Sequence, residues 1–468
     1  MISAFTFRVP KALFLLLIPV NLILIFVTVL YMTGRMHESK EFISSSIKTL
    51  NDKLDLDSWK KVSGGQEGND LSTLDKYGYV IKPQEVKFKF INPKNKQGDP
   101  KEILKHNTEE YEKLMKMRIN EPKNADINSM RPPAEGDIDK YQRENATIIA
   151  LVRNSEIANI GRSIKRFEKR FNSKFRYPYT FINDQPFTEK FKEKMSSLSQ
   201  AEMHFVEIPS SLWEKPEIID SEKQKKLMDE LASKNIAYAK MESYHNMCRF
   251  YSGTFYKLPE LQKFKYYWRI EPDVDFYTDI NYDIFKYMRQ TKKVYGFTVN
   301  LYDIAETIPT LWPETLNFLN MGDNYKYVNR NGAFQWLLDD LQNPAKNAEA
   351  GGYSCCHFWS NFEIGDLDFF RGEAYDSWFN YLDSTGKFYY ERWGDAPVHS
   401  VGLALFADKK DIHWFRDIGY VHDPYMNCPN RESASCDAGK FTNFDSLLDQ
   451  NCMTNWIDYS MDDPNAIY

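Results

Sequence analysis

The chain has 468 residues, of which 42% are hydrophobic and 15% aromatic, and its formal net charge is −6. That is ample apolar material for a sizeable core, arranged as two to three domains or as one large domain with extensions. The negative balance excludes a global field that would draw in nucleic acid, and the aromatic content, often seen in proteins that handle sugars, is mostly accounted for by core packing.

From the N-terminus, Ala12 to Met32 ("ALFLLLIPVNLILIFVTVLYM") carries no charge. At about 1.5 Å per residue it spans roughly 30 Å, the depth of a bilayer core. Arg8 and Lys11 sit in the tail of residues 1–11, which positive-inside logic keeps in the cytosol, although Arg35 and Lys40 beyond the span weaken the asymmetry. The stretch is longer than a cleaved leader's apolar segment and has no small-x-small pattern right after it, so a type II signal anchor is expected. Residues 33–138 are polar and weakly periodic ("SGGQEGNDLS", "NPKNKQGDP", "RPPAEGDID"), which predicts a hydrated stem with short helical pieces such as "TEEYEKLMKMRI". The cysteines Cys248, Cys355, Cys356, Cys428, Cys436 and Cys452 all lie beyond the anchor, where an oxidising lumen favours disulfides whose connectivity the sequence leaves open. No C-x-x-C or H-E-x-x-H pattern supports zinc, and Cys355-Cys356-His357 reads as part of a structural disulfide rather than a metal site. The sequon Asn145-Ala146-Thr147 suits a luminal surface loop.

Near Asp139 the texture changes. "ATIIALV" reads as a buried strand, and "NSEIANIGRSIKRFEKRFN" places Ile157, Ile160, Ile164, Phe167 and Phe171 at helical spacing. "YPYTFIND" reads as a second strand, completing a βαβ unit and implying a parallel sheet. "MHFVEI", "YYWRI" and "VYGFTV" are further strands, with a long helical candidate, "QKKLMDELASKNIAYAKMESYHNMCRFYSG", between the first two. The expectation is one α/β domain over 139–468, with ligands bound beyond the carboxyl ends of its strands.

At that end of "YYWRI" stand Glu271, Asp273 and Asp275. Three like charges closing an apolar strand repel one another. A divalent cation completed by a nucleotide diphosphate would resolve the repulsion; oxygen ligands suit Mg²⁺ or Mn²⁺, and an added imidazole favours Mn²⁺. A solvated acidic turn explains the triplet equally well at this level.

The motifs "YWRIEPDVDFYTDINYDIF", "YGFTVNLYDIAETIPTLW", "CHFWSNFEIGDLDFFR", "YYERWGDAPVHSVGLALF" and "DIHWFRDIGYVHDPYMNCP" resemble the fungal Golgi α-1,2-mannosyltransferases, glycosyltransferase family 15. The match runs in order from about Asn145 to Cys428. The resemblance implies a GT-A-type nucleotide-sugar fold with a mostly parallel sheet, a GDP-mannose donor, Mn²⁺, and transfer of mannose with retention to a mannose-terminated glycoprotein glycan. It also implies a single-pass type II protein of the Golgi membrane with its catalytic domain in the lumen.

Carried over residue by residue, Glu271 occupies the position of the family's metal carboxylate and His422, in "GYVHDPY", that of its metal-binding histidine, so metal affinity should fall in acid. Glu363, in "SNFEIGD", matches the proposed nucleophile. Retention calls for a carboxylate on the sugar's far face, acting either by double displacement or by stabilising oxocarbenium-like charge, and the residues leave both routes open. Asp395, in "ERWGDAPVH", matches an acid that holds a sugar hydroxyl. Asp273, Tyr244, Arg249 and Arg269 look like donor-binding positions, arginine being suited to diphosphate, with Arg153 a weaker candidate. Asp366 and Asp368 read as caps or fold-stabilising contacts, and His245, His357, His399 and His413 carry no assigned chemistry. Trp312, Trp359 and Trp393 could stack on sugars, with core packing favoured for at least two. Mannosylphosphate transfer from the same donor, and a non-catalytic mannan-binding scaffold, are the competing functions. Oligomeric state and the choice among N-linked, O-linked and lipid acceptors are not encoded in any motif.

Overall fold

The computed structural model describes residues 99–338 and 344–460. The expected tail, the anchor at 12–32 and most of the stem fall outside these residues. Among the described residues no helix is long and apolar enough to cross a membrane.

Helix α1 (Pro100–Met115) opens with the Asp99 side chain accepting from the Lys101 amide at 3.1 Å and with proline in its first turn, where a missing N–H costs nothing. Tyr111, Leu114 and Met115 are buried in the main core. Packed structure therefore starts well before the Asp139 boundary. The helical piece expected at "TEEYEKLMKMRI" forms the second half of α1, but its apolar stripe Ile103, Tyr111, Leu114, Met115 is interrupted by lysines and glutamates, so local polarity masked its packing into the core.

The βαβ unit forms where the pattern places it: β1 (Ala146–Leu151), α2 (Ile157–Arg170) and β2 (Tyr179–Asn183). Then follow β3 (Met203–Glu207), helix α3 (Glu242–Arg249), β4 (Tyr266–Arg269), the two-residue β5 (Asp275–Phe276) and β6 (Tyr295–Phe297). The chain continues with β7 (Asn300–Tyr302), β8 (Cys356–Phe358), β9 (Glu363–Asp366), helix α4 (Asp395–Phe406), β10 (Ile412–Trp414), β11 (Tyr420–His422) and β12 (Tyr425–Asn427).

The central sheet has seven strands in the order β10-β6-β9-β4-β1-β2-β3. Its pairings are parallel except that β9 runs antiparallel between β4 and β6. The fold is thus α/β with a mostly parallel sheet. Both faces are covered, which is why its strands read as continuous apolar runs. Alternate residues of β4 enter separate clusters: Tyr267 one, Tyr266 and Trp268 the other.

Strand β9 went unread because Glu-Ile-Gly-Asp offers one apolar side chain and no alternation. Gly365 lets it approach β4: a Cβ there would lie 2.4 Å from the Tyr267 ring. Disulfides join Cys356 to Cys452 and Cys428 to Cys436. The expected structural disulfide at the Cys355-Cys356 pair thus uses Cys356.

Candidate active site

The carboxyl end of β4 carries the acidic turn. Pro272 fixes its backbone, and Asp273 takes a left-handed φ of 63°, a conformation aspartate tolerates better than most residues. The turn therefore splays its carboxylates. Each faces an arginine: Glu271 pairs with Arg269, Asp273 with Arg162 at 2.8 Å, and Asp275 with Arg166 at 3.3 Å. Much of the repulsion that the sequence posed is thus met by guanidinium groups, two of them on α2. Asp273 also accepts from Asn159 at 2.6 Å and is exposed, directed at α2 rather than into the site.

Arg269 is the hub. Its guanidinium is 3% exposed and lies 3.5 Å from the Tyr251 ring centre. Beyond Glu271 it donates to Asp395 at 2.6 Å and stands 3.7 Å from Glu363. Burial alone would weaken its charge, but Glu271 and Asp395 hold its pKa well above the ordinary value. Burial pushes the Asp395 carboxyl up, while Arg269 and then His399 more than offset this and keep it below its usual range. Asp395 opens α4, where the helix dipole also favours a negative charge.

Glu363 lies opposite Arg269 in the β4–β9 register and is fully buried. Its Oε2 accepts from the Tyr295 hydroxyl at 2.9 Å and meets His399 Nδ1 at 2.9 Å. Its Oε1 is buried with no hydrogen-bond partner. One carboxylate oxygen is clamped and the other is left open, facing the Arg269 side.

His422 reaches the same region through β11, which pairs antiparallel with β5, setting Val421 opposite Asp275. One step further along that register, His422 comes opposite Val274, within the turn that begins at Glu271. Tyr420, on the same strand face, feels the charges of Glu271 and Arg269 after the larger effect of its burial. The His422 Nδ1 is buried and unpartnered.

The segment between β8 and β9 ties these groups together. Trp359 packs edge-on against His422 at 5.3 Å, Ser360 donates to Asp395 at 2.8 Å, Asn361 accepts from Tyr420 at 2.9 Å, and Glu363 follows. Of the three tryptophans, Trp312 and Trp393 are buried and Trp359 is half-buried.

The remaining candidates separate. Tyr244 accepts from Arg392 at 3.1 Å and feels Asp395, so it borders the site. Arg249 does not: its buried guanidinium makes a two-pronged pair with Asp383 at 2.7 and 2.9 Å, a structural contact. Arg153 is exposed and pairs with Glu156 at 3.4 Å. Asp366 caps a short helix by accepting from the Asp368 amide at 2.9 Å, and both aspartates bind Lys265.

The structure adds to the site His399, Tyr295 and Ser360, none of which the sequence assigns any chemistry. His399 carried a signal, since it lies four residues after Asp395 on one helix face. Tyr295 and Ser360 carried none, because only the sheet order brings them to Glu363 and Asp395.

Among the described residues no three His, Cys, Asp or Glu side chains form a ready metal cluster. The open Nδ1 of His422 and the part-exposed carboxylate of Glu271 are two hard-to-borderline ligands of the kind Mn²⁺ accepts.

The sequence model described as glycolipid 2-alpha-mannosyltransferase matches residues 101–461. The probable mannosyltransferase KTR4 of Saccharomyces cerevisiae is 48% identical over 371 residues, 78% of this chain and 78% of the relative. The X-ray structure of the mannosyltransferase Ktr4p from S. cerevisiae in complex with GDP matches with a TM-score of 0.74 at 46% identity, covering 81% of this chain and 94% of that one. The Mn/GDP form of core-mannan synthase A (CmsA/Ktr4) from Aspergillus fumigatus matches with a TM-score of 0.71 at 45% identity, covering 74% and 93%.

Proposed function

The chain belongs to the glycolipid 2-alpha-mannosyltransferase family, glycosyltransferase family 15, and we propose that Glu363 faces the sugar during its reaction. That reaction moves mannose from GDP-mannose to the 2-hydroxyl of a mannose-terminated glycan. The C1–oxygen bond to the β-phosphate breaks, GDP leaves with the electron pair, and the acceptor hydroxyl forms the new bond and gives its proton to an oxygen of the departing diphosphate.

The observation that carries this reading is the divided carboxylate of Glu363, one oxygen clamped by Tyr295 and His399 and the other buried and open. A carboxylate in a water-poor site stabilises positive charge at an anomeric carbon far better than one in bulk water. Arg269 keeps Glu363 and Asp395 apart in role: it binds Asp395 tightly and leaves Glu363 the looser contact. Asp395, fixed by Arg269 and Ser360, is placed to hold a sugar hydroxyl.

Glu271 and His422 would hold Mn²⁺. When bound, the ion supplies positive charge to the departing diphosphate. A relative crystallised with Mn and GDP supports this choice. Tyr244 and Arg392 border the side of Asp395 and would line the sugar-binding face. Residues 12–32 would anchor the protein as a type II protein in the Golgi membrane, a placement that the disulfides favour.

The test is to incubate the full chain with several sugar nucleotides, with and without Mn²⁺, and methyl α-mannoside. Transfer from GDP-mannose alone, dependent on metal and giving an α-1,2-linked dimannoside, is expected. A charged phosphodiester product, or equal use of another donor, would overturn the reading.

A further inference from the structure

His399 lies inside α4, fully buried, between two oxygens. Its Nε2 is 2.7 Å from the Tyr251 carbonyl, and its Nδ1 is 2.9 Å from Glu363 Oε2. A carbonyl oxygen has no proton to give, so Nε2 carries the hydrogen of that bond. The Nδ1 contact then allows two states: an imidazolium donating to a carboxylate, or a neutral imidazole accepting from a protonated Glu363.

The groups around Glu363 choose between them. Tyr295 donates to the same Oε2 at 2.9 Å, and the Arg269 guanidinium stands 3.7 Å from Oε1, contacts that suit a carboxylate and leave the shared proton on the imidazole. Around His399 and Glu363 the packed elements present Asp395 on α4 itself, Arg269 and Tyr267 on β4, Tyr295 on β6, Tyr251 in the turn after α3, and Tyr375. The rings of Phe255 and Phe370, which lie 6.1 and 4.9 Å from the imidazole, add no charge. The tyrosines are buried and their pKa values are raised, so they stay neutral.

We infer that His399 is a positioning residue held as an imidazolium, whose Nδ1–H donates to Glu363 Oε2 and leaves the other carboxylate oxygen for the sugar. This rests on the reading of Glu363 given above. Burial opposes charging of His399, but Glu363 and Asp395 outweigh it and hold the imidazole pKa above its ordinary value.

The test uses the full chain in detergent at saturating Mn²⁺ and GDP-mannose. In His399→Gln a neutral donor replaces the charged one to Glu363, so kcat should fall by about tenfold or more while the KM for GDP-mannose stays unchanged. An unchanged kcat, or a loss confined to KM, would overturn the inference.

A second measurement does not depend on the variant's activity. In ¹⁵N-histidine-labelled wild-type protein at pH 7, the ring resonances absent from His399→Gln should show both nitrogens protonated. A neutral tautomer would overturn the inference. Glu363→Gln separates the two claims, because transfer that survives it refutes the role of Glu363, while the resonances still decide the charge of His399.

Discussion

Replacing Arg269 with leucine should be the most destabilising single change in the site. The side chain is 3% exposed, and the carboxylates it faces at Glu363, Asp395 and Glu271 are 0%, 8% and 25% exposed, so solvent screens little of the loss. Removing one partner of a buried ion pair costs about 3–5 kcal/mol, and here two deeply buried carboxylates lose the same partner, which points to the upper end. At about 2 °C per kcal/mol for a large domain, the melting temperature should fall by about 10 °C at neutral pH.

The pH dependence gives the sign. In the native protein Arg269 helps hold Asp395 below its usual pKa, so Asp395 adds stability above the unfolded carboxylate range and loses it as pH falls through its depressed folded value. In Arg269→Leu the burial cost prevails and the folded pKa rises. The destabilisation should then be full at pH 7.5 and shrink as pH falls through that raised value toward the unfolded one. Calorimetric melts of both proteins at pH 7.5 and 5 would measure this. A variant that melts within about 2 °C of the native protein at both pH values would refute the reasoning.

Other changes separate site from scaffold. Arg249→Met should cost about 3 kcal/mol by leaving Asp383 unpaired, yet leave the KM for GDP-mannose unchanged; a raised KM with normal stability would return Arg249 to the donor site. His422→Ala should raise the Mn²⁺ concentration for half-maximal activity by more than about tenfold, measured by titrating metal-stripped protein. Replacing Cys356 and Cys452 together by serine opens a cross-link between residues 96 apart, and chain entropy predicts a loss of about 4–5 kcal/mol in denaturant unfolding.

The parallel half of the sheet was legible because it is written in local periodicity. "ATIIALV" is a continuous apolar run and the Ile157–Phe171 stripe repeats at helical spacing, and each forms the element its pattern predicts. The antiparallel β9 was not legible, and it is what sets Glu363 opposite Arg269. The acidic turn reads either as a cation site or as a solvated turn, and the arginines that meet much of its charge, Arg162 and Arg166, lie more than a hundred residues away. Arg249 matched by motif and by residue type, but Asp383 pairs with it from a later helix. His399 was passed over because a histidine in an apolar helix is usually a packed residue; only the fold shows that both its nitrogens face oxygen.

We propose that Glu271 and His422 hold one cation while Glu363 faces the sugar. Anomalous diffraction at the manganese edge, from crystals grown with Mn²⁺ and GDP, tests it most directly. A single peak within coordination distance of both side chains, with Glu363 left free of metal, is the predicted result. A peak bound by Glu363, or one that touches neither Glu271 nor His422, would contradict it.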